Sequence, residues 1–463
     1  MTWIQSRLSA LLLCAAVLVL FGDDVVKVGH FFDGVTYAGI ARQMSMGIGT
    51  FDCPQYSPFL APQFYGHLPL WLGWQALFFV LVGDAWWVEG LFLLVNLALH
   101  GLAFRWVWNE FRLAAGDTPL PSWRAVVALY LTVPTVSWAW SNNMLEVGVS
   151  FFSLLAVGAS LTSLRTTRRH WWWWSIAAAW LTILATASKG VVGLFPLASG
   201  MAWWWWKPLE RRRIGRSSAA MIVAFGGTLG MLALALPEAV HYVTKHLQIQ
   251  LVPALKGELD VTTAWRAKIL WDALLNLLPL GILTGLWIRW GWVDGNDACR
   301  RAMWTWLWIA LMATLPLCAS LKQRTFYLVP AMPFYAMAAA VWWGTFDPWK
   351  TLEPKGRKVA MLALVTLVVV GSVRVCAGFG DVSRDHAKWD LAKRASAQFP
   401  AGTVLEVNQE LAHDYTMIAI LVRSGSLYIT DHPPDDATHA VVKRTSNEGD
   451  RYEIVPRKTS RSN

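Results

Sequence analysis

The stretch LSALLLCAAVLVLFGDDVVKVGHFFDGVTYAGIAR, residues 8–42, decides how the rest of the chain is interpreted. Residues 8–22 form an apolar run close to the length that a helix needs to cross a bilayer. No small-residue cleavage pattern follows, so the run is predicted to be a retained first span rather than a signal peptide. It is followed closely by Asp23, Asp24 and Asp33. Carboxylates at the point where a chain leaves the bilayer call for an explanation.

The composition of the chain is that of an integral membrane protein. Of its 463 residues, 55% are hydrophobic and 15% are charged, whereas soluble globular proteins carry roughly 25% charged residues. The 31 tryptophans cluster at segment ends, as in HWWWWS and AWWWWKP, which is typical of rings at the membrane headgroups. The five cysteines have no spacing that indicates a disulfide framework or a metal site.

Eleven apolar segments are close to spanning length. They are residues 8–22, 87–107, 123–140, 146–164, 171–188, 190–206, 217–236, 269–289, 302–320, 326–344 and 359–378. The basic clusters between them fall on the side of Arg7 if LPLWLGWQALFFVLVG, residues 68–83, lies at the interface without crossing. The lysine and arginine bias of cytoplasmic loops then places the N-terminus in the cytoplasm. The net charge of +10 is explained by this topology, and no nucleic-acid partner is expected.

The predicted fold is an all-α polytopic membrane protein of about eleven transmembrane helices plus juxtamembrane helices, with a small α/β domain at its C-terminus. Residues 1–379 form the membrane domain, in which residues 23–86 are the first extracytoplasmic loop and carry the juxtamembrane helices. Residues 380–463 form the extracytoplasmic α/β domain, with strands in TVLEV, SLYIT, HAVVKR and YEIVP and a disordered end, RKTSRSN. The expected location is the cell inner (plasma) membrane.

Asp33 is the first candidate for chemistry. The segment DGVTYAGIARQM places it just ahead of a predicted helix, with Tyr37 on the apolar face and Arg42 on the other. A carboxylate at this position fits a general base or a charge stabiliser in a site formed by the first loop. An acid ahead of a helix is also expected as a plain N-cap, so both roles stay open.

Basic side chains at two predicted span ends indicate an anion site. Lys189 lies between two spans in TASKGVVGLFP, and a second group opens the span in LKQRTFYLVP with Lys322, Arg324 and Tyr327. These positions fall on the predicted extracytoplasmic side, where positive charge is disfavoured. Lysines and a forked arginine are the side chains that recognise phosphate. For Lys189 the alternative is that its side chain snorkels to the headgroups.

Two further motifs fall on the same predicted face. His67 in YGHLPL is either an interfacial aromatic residue or part of the site. Glu146 in SNNMLE, beside Asn142 and Asn143, is either a helix cap or part of the site. An ionisable residue at membrane depth is costly, which favours the functional interpretation when several such residues converge.

The predicted loop 237–268 contains EAVHYVTKHLQIQLVPALKGELD. Its two prolines and a glycine are expected to break it into short pieces. Tyr242 and Gln250 are its candidate site residues. The loop is predicted to close over a bound substrate, because such lids exclude water and complete a site.

Five short motifs, in order, resemble those of the polytopic C-type glycosyltransferases that take sugars from polyprenyl phosphates. The nearest resemblance is to the protein O-mannosyltransferase and lipid A aminoarabinose transferase branch. The motifs cover most of residues 1–345 and are DGVTYAGIAR, GHLPLWLGWQALFFVLVGD, NNMLE, SKGVVGLFPL and KQRTFYLVPAMPFYAMAAA. The chain departs from the family where Gly34 replaces a second acid, His67 a lysine and Leu68 a proline, which leaves the substrate open.

The resemblance implies transfer of a sugar from a polyprenyl-phosphate donor to a lipid, glycan or protein acceptor on the extracytoplasmic face. Asp33 would act as the base. The donor phosphate would be held by Lys189, Lys322, Arg324, His67 and Tyr327. The acceptor or the site itself would be supported by Tyr37, Arg42, Asn142, Asn143, Glu146, Tyr242 and Gln250. Fixed cations make a cofactor unnecessary, no pattern supports a divalent metal, and the donor's chain would lie among membrane lipids.

A transporter or flippase for a lipid-linked sugar is the main alternative from another class of protein, and a non-catalytic membrane scaffold for envelope assembly is a second one. A transporter would also bury ionisable residues, but usually near the membrane midplane and often in repeats. Here the candidate residues gather at one predicted face, and the sequence shows no repeat. Among enzymes, transfer of an oligosaccharide or polymer is the alternative to transfer of a single sugar.

Overall fold

The computed structural model describes residues 3–59, 62–116, 118, 120–166, 170–259, 262–291, 297–343, 353–446 and 449–457. These residues are mostly helical and form two compact units. The first, here called the membrane unit, comprises Met1–Asp23, Gly66–Leu68 and Leu94–Ala377. The second, the sheet unit, comprises Asp24–Tyr65, Pro69–Leu93 and Gly378–Asn463. Most of the predicted first loop thus belongs to the same unit as the C-terminal residues.

The described helices are numbered in chain order. They are α1 (Trp3–Val26), α2 (Phe32–Ser45), α3 (Leu70–Val82), α4 (Val88–Ala115), α5 (Trp123–Leu131), α6 (Pro134–Ser141), α7 (Glu146–Arg165), α8 (Trp171–Lys189), α9 (Ser199–Trp206), α10 (Arg211–Ala235), α11 (Pro237–His246), α12 (Val252–Lys256), α13 (Lys268–Gly291), α14 (Asp297–Thr314), α15 (Met332–Trp343), α16 (Pro354–Ala377), α17 (His386–Gln398), α18 (Gln409–Ala412) and α19 (Tyr415–Gly425). Short 3-10 turns lie at Val191–Ala198, Pro208–Glu210, Leu315–Ala319 and Thr325–Ala331, and a π turn lies at Leu247–Leu251.

Seven helical segments in the described part of the chain are long and apolar enough to cross a membrane. They are Val88–Ala115, Glu146–Arg165, Pro208–Ala235, Lys268–Gly285, Asp297–Ala319, Thr325–Trp342 and Pro354–Ala377. Residues 8–22 and 171–188, which are predicted as further spans, lie in α1 and α8. The chain is therefore a multi-pass membrane protein, in agreement with its composition.

Two predicted spans are broken, and the residues that break them are visible in the sequence. Residues 123–140 form α5 and α6 because Pro134, which has no N–H to continue a helix, starts the second one. Residues 190–206 begin at Gly190, whose φ of +126° is a conformation that favours glycine. They continue as a 3-10 turn and end as α9. The prediction of one continuous helix in each of these ranges is wrong.

Residues 68–83 contain a helix that is too short to cross a bilayer. α3 has 13 residues, which gives about 20 Å at 1.5 Å per residue. The hydrocarbon core is roughly 30 Å thick. This agrees with the prediction that the segment lies at the interface without spanning.

The tryptophan run AWWWWKP divides between surface and core. Trp204 and Trp205 are exposed, whereas Trp203 and Trp206 are buried. Trp203 packs edge-on against Trp306, with ring centroids 5.6 Å apart. Trp203 and Trp206 therefore fill the core of the membrane unit instead of lying at the lipid interface that the sequence predicts for this run.

The sheet unit contains a four-stranded sheet of β1 (Val404–Glu406), β2 (Tyr428–Thr430), β3 (His439–Ser446) and β4 (Gly449–Pro456). The strand order is β2-β1-β3-β4, with β1 parallel to both neighbours and β4 antiparallel to β3. The four predicted strands are confirmed, and α19 is the predicted amphipathic helix between the first two. Residues 458–463, most of the predicted disordered end, lie outside the described residues.

Helix α2 is buried along most of its length. It packs against α3 and α19, and every residue from Gly34 to Gln43 is buried. Burial of Tyr37 agrees with its predicted place on the apolar face. Arg42 is also buried, at 7% exposure, so the prediction that it lies on a polar face is wrong. With neighbours on two sides, the helix has no solvent face between these residues.

Candidate active site

Lys189 and Glu146 form a buried ion pair between the last residue of α8 and the first residue of α7. The two helices pack against each other. The ammonium group donates to Glu146 Oε1, and the exposed fractions are 9% for Lys189 and 1% for Glu146. Removing one partner of such a pair leaves a buried charge, at a cost of about 3–5 kcal/mol. Glu146 thus neutralises Lys189. Leu145 is the N-cap residue of α7, but Glu146 lies in the first turn, where the helix dipole favours a carboxylate as the capping alternative predicts.

Aromatic rings border the ammonium group of Lys189. Its Nζ lies 4.8 Å from the ring centroid of Tyr327 and 5.4 Å from that of Phe326. A cation over an aromatic face gains roughly 0.5–2 kcal/mol. Trp138 stacks on Phe326 at 5.4 Å, so α6 supports this wall from behind. Snorkelling to headgroups, the alternative for Lys189, does not describe this buried and paired ammonium group.

Gln323 holds the segment that carries Lys322. Its Oε1 accepts from the Ile269 N–H at 2.9 Å, and its Nε2 donates to the carbonyl oxygens of Arg266 at 2.5 Å and Ser320 at 2.8 Å. Three bonds from one buried amide fix the backbone on both sides of Lys322. The Lys322 Nζ then donates to Gln250 Oε1 at 3.2 Å. Arg324, two residues on, is exposed.

The helical segment after α10 presents one face to the same site. Tyr242, His246, Gln250 and Ala254 recur at every fourth position. In a regular α-helix each such step drifts by about 40°, but the π turn at Leu247–Leu251 widens the helix and reduces the drift. Pro253 has no N–H for a regular bond to residue 249, while the Val252 N–H donates to the Leu247 carbonyl. Gly257 ends α12 at φ +77°, but the helical conformation runs on through Pro253, so the predicted break at that proline is wrong.

His67 and His246 face each other across the site. Their ring centroids are 6.5 Å apart, and the Tyr242 hydroxyl donates to the His67 carbonyl at 2.8 Å. The Gly190 turn leaves room for His246, because a Cβ on Gly190 would lie 3.0 Å from His246 Nε2. Gly190 is therefore required both by its φ and by this close approach.

These residues surround a partly open cavity of about 130 Å³. An engineered apolar cavity of similar volume, about 150 Å³, holds benzene, so a phosphate group fits. The polar lining residues are His67, Lys189, His246, Gln250, Ser320, Lys322 and Tyr327. No carboxylate is among the described lining residues. The lining is therefore suited to an anion.

The surroundings of His67 disfavour its charged form. Burial lowers its pKa well below the ordinary value of 6.5, and the charges of Lys189, His246 and Lys322 lower it further. An unperturbed histidine would be partly charged near pH 7. Here the neighbouring cations oppose a further positive charge.

Asn142 and Asn143 form the corner that leads into α7. Asn142 ends α6, and its Nδ2 donates to the Trp138 carbonyl at 2.9 Å. Asn143 adopts φ +53°, a left-handed conformation that asparagine tolerates better than most residues. The two asparagines therefore shape the turn that delivers Glu146.

In the sheet unit, Asp33 is the second residue of α2. The N-cap residue is Phe31, which makes no side-chain cap bond, so the N-cap alternative for Asp33 is wrong. Asp33 is half-buried in the first helical turn, where the helix dipole favours a carboxylate. Tyr56 lies close to it. Burial raises the pKa of Tyr56, a hydrogen bond with Thr36 opposes the rise, and the charge of Asp33 adds to it.

Arg42 belongs to an ion-pair network in the sheet unit in which both guanidinium groups are buried and the linking carboxylate, Asp84, is exposed. Its Nε bonds Asp84 at 2.5 Å and its Nη1 donates to Ser426 Oγ at 2.7 Å. Asp84 also bonds Arg423 at 2.9 Å, and Arg423 forms a bidentate pair with Glu89. Each guanidinium is thus matched by acids, which indicates a structural network.

The predicted site residues are distributed over both units. Asp33, Tyr37 and Arg42 belong to the sheet unit. The structure brings together in the membrane unit His67, Glu146, Lys189, Tyr242, Gln250, Lys322 and Tyr327. Sequence reasoning missed His246 and Ser320. The four-residue spacing from Tyr242 through His246 to Gln250 is the signal that could have found the histidine.

Comparison with known proteins gives a fold but no family. No family model matches the chain, and no curated protein matches it. Among solved structures it is similar to ArnT from Cupriavidus metallidurans bound to undecaprenyl phosphate, with a TM-score of 0.60, 16% identity and coverage of 91% of this chain and 86% of that one. The apo state of the same protein gives a TM-score of 0.58.

A second similar structure is the Archaeoglobus fulgidus oligosaccharyltransferase in the apo form. It matches with a TM-score of 0.50 and 10% identity, over 95% of this chain and 66% of that one. At such identities the likeness concerns the fold. The predicted resemblance to polyprenyl-phosphate-dependent C-type transferases is confirmed at that level.

Proposed function

We propose that this chain is a membrane glycosyltransferase that moves a sugar from a polyprenyl-phosphate donor to a lipid, glycan or protein acceptor. The observation that carries the proposal is the cavity lined by two lysines, two histidines and Tyr327, with no carboxylate among its described lining residues. Ammonium groups held before the ligand arrives stabilise a phosphate without reorganisation. The fold supports the proposal, because the similar ArnT structure holds undecaprenyl phosphate.

The proposed reaction is a displacement at the anomeric carbon of the sugar. The bond from that carbon to the phosphate oxygen breaks, and a bond to the acceptor oxygen forms. The acceptor's proton passes to Asp33, the proposed base. The phosphate leaves on the polyprenyl chain, and the negative charge that grows on its oxygen is stabilised by Lys189 and Lys322.

The remaining residues support these roles in ways that their contacts suggest. Glu146 keeps Lys189 in place, Gln250 orients Lys322, and Tyr242 fixes the backbone of His67. His67 and Tyr327 complete the contact with the donor phosphate, and Arg324 attracts it from the surface. Asn142 and Asn143 hold the corner before Glu146, and Tyr37 and Arg42 hold α2.

The proposed location is the cell inner (plasma) membrane, with the N-terminus in the cytoplasm and eleven crossings. The cavity and the C-terminal residues then lie on the extracytoplasmic side, where a lipid-linked donor is the suitable one. The support is the lysine and arginine asymmetry of the loops. Cysteines introduced at 50–60 and 250–260 should be labelled from outside and those at 210–216 should not. Labelling at 210–216 would overturn the orientation.

The function is tested with purified full-length protein in lipid nanodiscs. A polyprenyl monophosphate sugar should be consumed without ATP or an ion gradient, and Lys189→Met should abolish consumption. Lys245→Met, a matched change outside the cavity lining, should leave it unaltered. Movement of the donor across a vesicle bilayer without its conversion would instead identify a transporter or flippase.

A further inference from the structure

The cavity contains two imidazoles at positions where a lysine would bind a phosphate more strongly, so their presence needs another explanation. His67 enters from the segment before α3 and His246 from the end of α11, and both line the cavity with rings 6.5 Å apart. A lysine at either position would supply a permanent charge. Imidazole differs in that its charge depends on its surroundings near neutral pH.

The proposed donor and its product differ in charge at the phosphate. The donor is a phosphodiester with a single negative charge. The product is a monoester with a second pKa near 6, and it carries a charge of about −1.5 to −2 at pH 7. Release of the sugar therefore adds negative charge inside the cavity. A pair of imidazoles can meet this added charge by taking up a proton.

We propose that His67 and His246 form a proton-accepting pair with which the cavity distinguishes a phosphate monoester from a phosphodiester. One proton is taken up when the monoester binds, and close to none when the diester binds. The proposal rests on the proposed function and gives these two residues a role in the release of the leaving phosphate.

The groups that face the pair come from every neighbouring element. They are Lys189 at the end of α8, Lys322 before the 3-10 turn at Thr325–Ala331, Tyr327 in that turn and Tyr242 on α11. The carboxylate of Glu146 bonds Lys189. On the segment of His246 itself, the titratable residues outside the described lining are Glu238, His241, Lys245, Lys256 and Glu258.

Burial and the neighbouring charges explain why the charged form of His67 is disfavoured until an anion arrives. Burial lowers the pKa of His67, and Lys189, His246 and Lys322 lower it further. A phosphate dianion among the same groups acts in the opposite direction, because an opposite charge within about 4–6 Å favours the charged form. The imidazolium that results makes a charge-assisted hydrogen bond to phosphate.

The test measures proton uptake on binding by calorimetry at pH 7.5, in two buffers of different ionisation enthalpy. The full-length protein in nanodiscs is titrated with undecaprenyl phosphate and with its methyl diester. The expected uptake is about one proton for the monoester and close to none for the diester. Monoester affinity should correspondingly fall by up to tenfold per pH unit above pH 7, since one bound proton changes log K by about one per unit.

Variants decide which group holds the proton. In His67→Gln/His246→Gln the uptake should disappear, while His241→Gln, a matched change on the same helix outside the lining, should keep it. Diester affinity at pH 8 reports whether the double variant still forms the cavity. Undiminished uptake in a double variant that binds the diester would place the proton on the phosphate itself and overturn the proposal. Failure of both lipids to bind the unaltered protein would overturn the proposed function and this inference with it.

Discussion

The two units use cationic residues in opposite ways. In the sheet unit, the buried guanidinium groups of Arg42 and Arg423 are matched by the carboxylates of Asp84 and Glu89. In the membrane unit, Lys189 is matched by Glu146, while Lys322 donates to a neutral amide and two imidazoles stand nearby. Forked arginines with complete sets of acceptors fix a structure. Compact ammonium groups and titratable rings around a cavity leave capacity for an anion.

The largest effect is expected for Asp33, the proposed functional residue in the sheet unit and so the exception to this comparison. Asp33→Asn should lower transfer by about 10²–10⁴, the usual loss of a general base, with donor binding nearly unchanged. The helix should persist, because Asp33 is not its N-cap residue. Single-turnover rates with a polyprenyl monophosphate sugar provide the measurement. Asp52→Asn, in an exposed loop, is the control, and retention of more than about a tenth of the rate by Asp33→Asn excludes a base.

The second prediction tests whether the arginine network is structural. Arg423→Met should destabilise the sheet unit by about 3–5 kcal/mol, because Glu89 and Asp84 lose a buried partner. Hydrogen exchange of the backbone amides in β1 and β2 reports this change. Arg444→Met removes an exposed pair with Glu453 and should cost less than about 1 kcal/mol. Equal effects of the two variants would contradict the distinction.

The third prediction concerns Lys322 in the cavity. Lys322→Ala should weaken binding of undecaprenyl phosphate by about 10- to 150-fold, since a hydrogen bond to a charged group contributes roughly 1.5–3 kcal/mol. Fluorescence titration in nanodiscs measures the affinity, and Lys245→Ala serves as the control of equal charge change. An unaltered dissociation constant would remove Lys322 from the phosphate site.

The smallest expected effect is that of Arg324. It is exposed, so Arg324→Ala should weaken the same binding by only about two- to fivefold, the range of exposed ion pairs. Its contribution should vanish when the salt concentration is raised to 1 M, where screening acts over about 3 Å. A loss as large as that of Lys322→Ala would show that Arg324 turns into the cavity when the lipid binds.

Local sequence patterns predict most of the fold. Run length and hydropathy identify the helices, and residues such as Pro134 and Gly190 mark where two of them break. The length of residues 70–82 already shows that α3 cannot span. Short runs such as TVLEV and SLYIT predict the strands of the sheet unit. These features depend on neighbours in the chain, which a sequence displays directly.

Burial of polar residues could not be predicted in the same way. The sequence predicts Arg42 at the surface, because its partners, Asp84 and Ser426, lie far from it along the chain and cannot be recognised there. The same holds for Glu146, whose partner Lys189 is 43 positions away. His246 was within reach, since its spacing from Tyr242 and Gln250 places all three on one face. Charge alone does not show which cation of the sequence has a carboxylate partner in the folded chain.

The π turn at Leu247–Leu251 fits one extra residue into the segment that lines the cavity. Each residue of a regular helix turns the chain by about 100°, so deletion of one residue between Tyr242 and His246 would rotate His246, Gln250 and Ala254 together. Deletion within the π turn would instead be absorbed by a return to the regular helix. A substitution replaces one side chain of the lining, whereas a change of register in the regular part would move most of one wall at once.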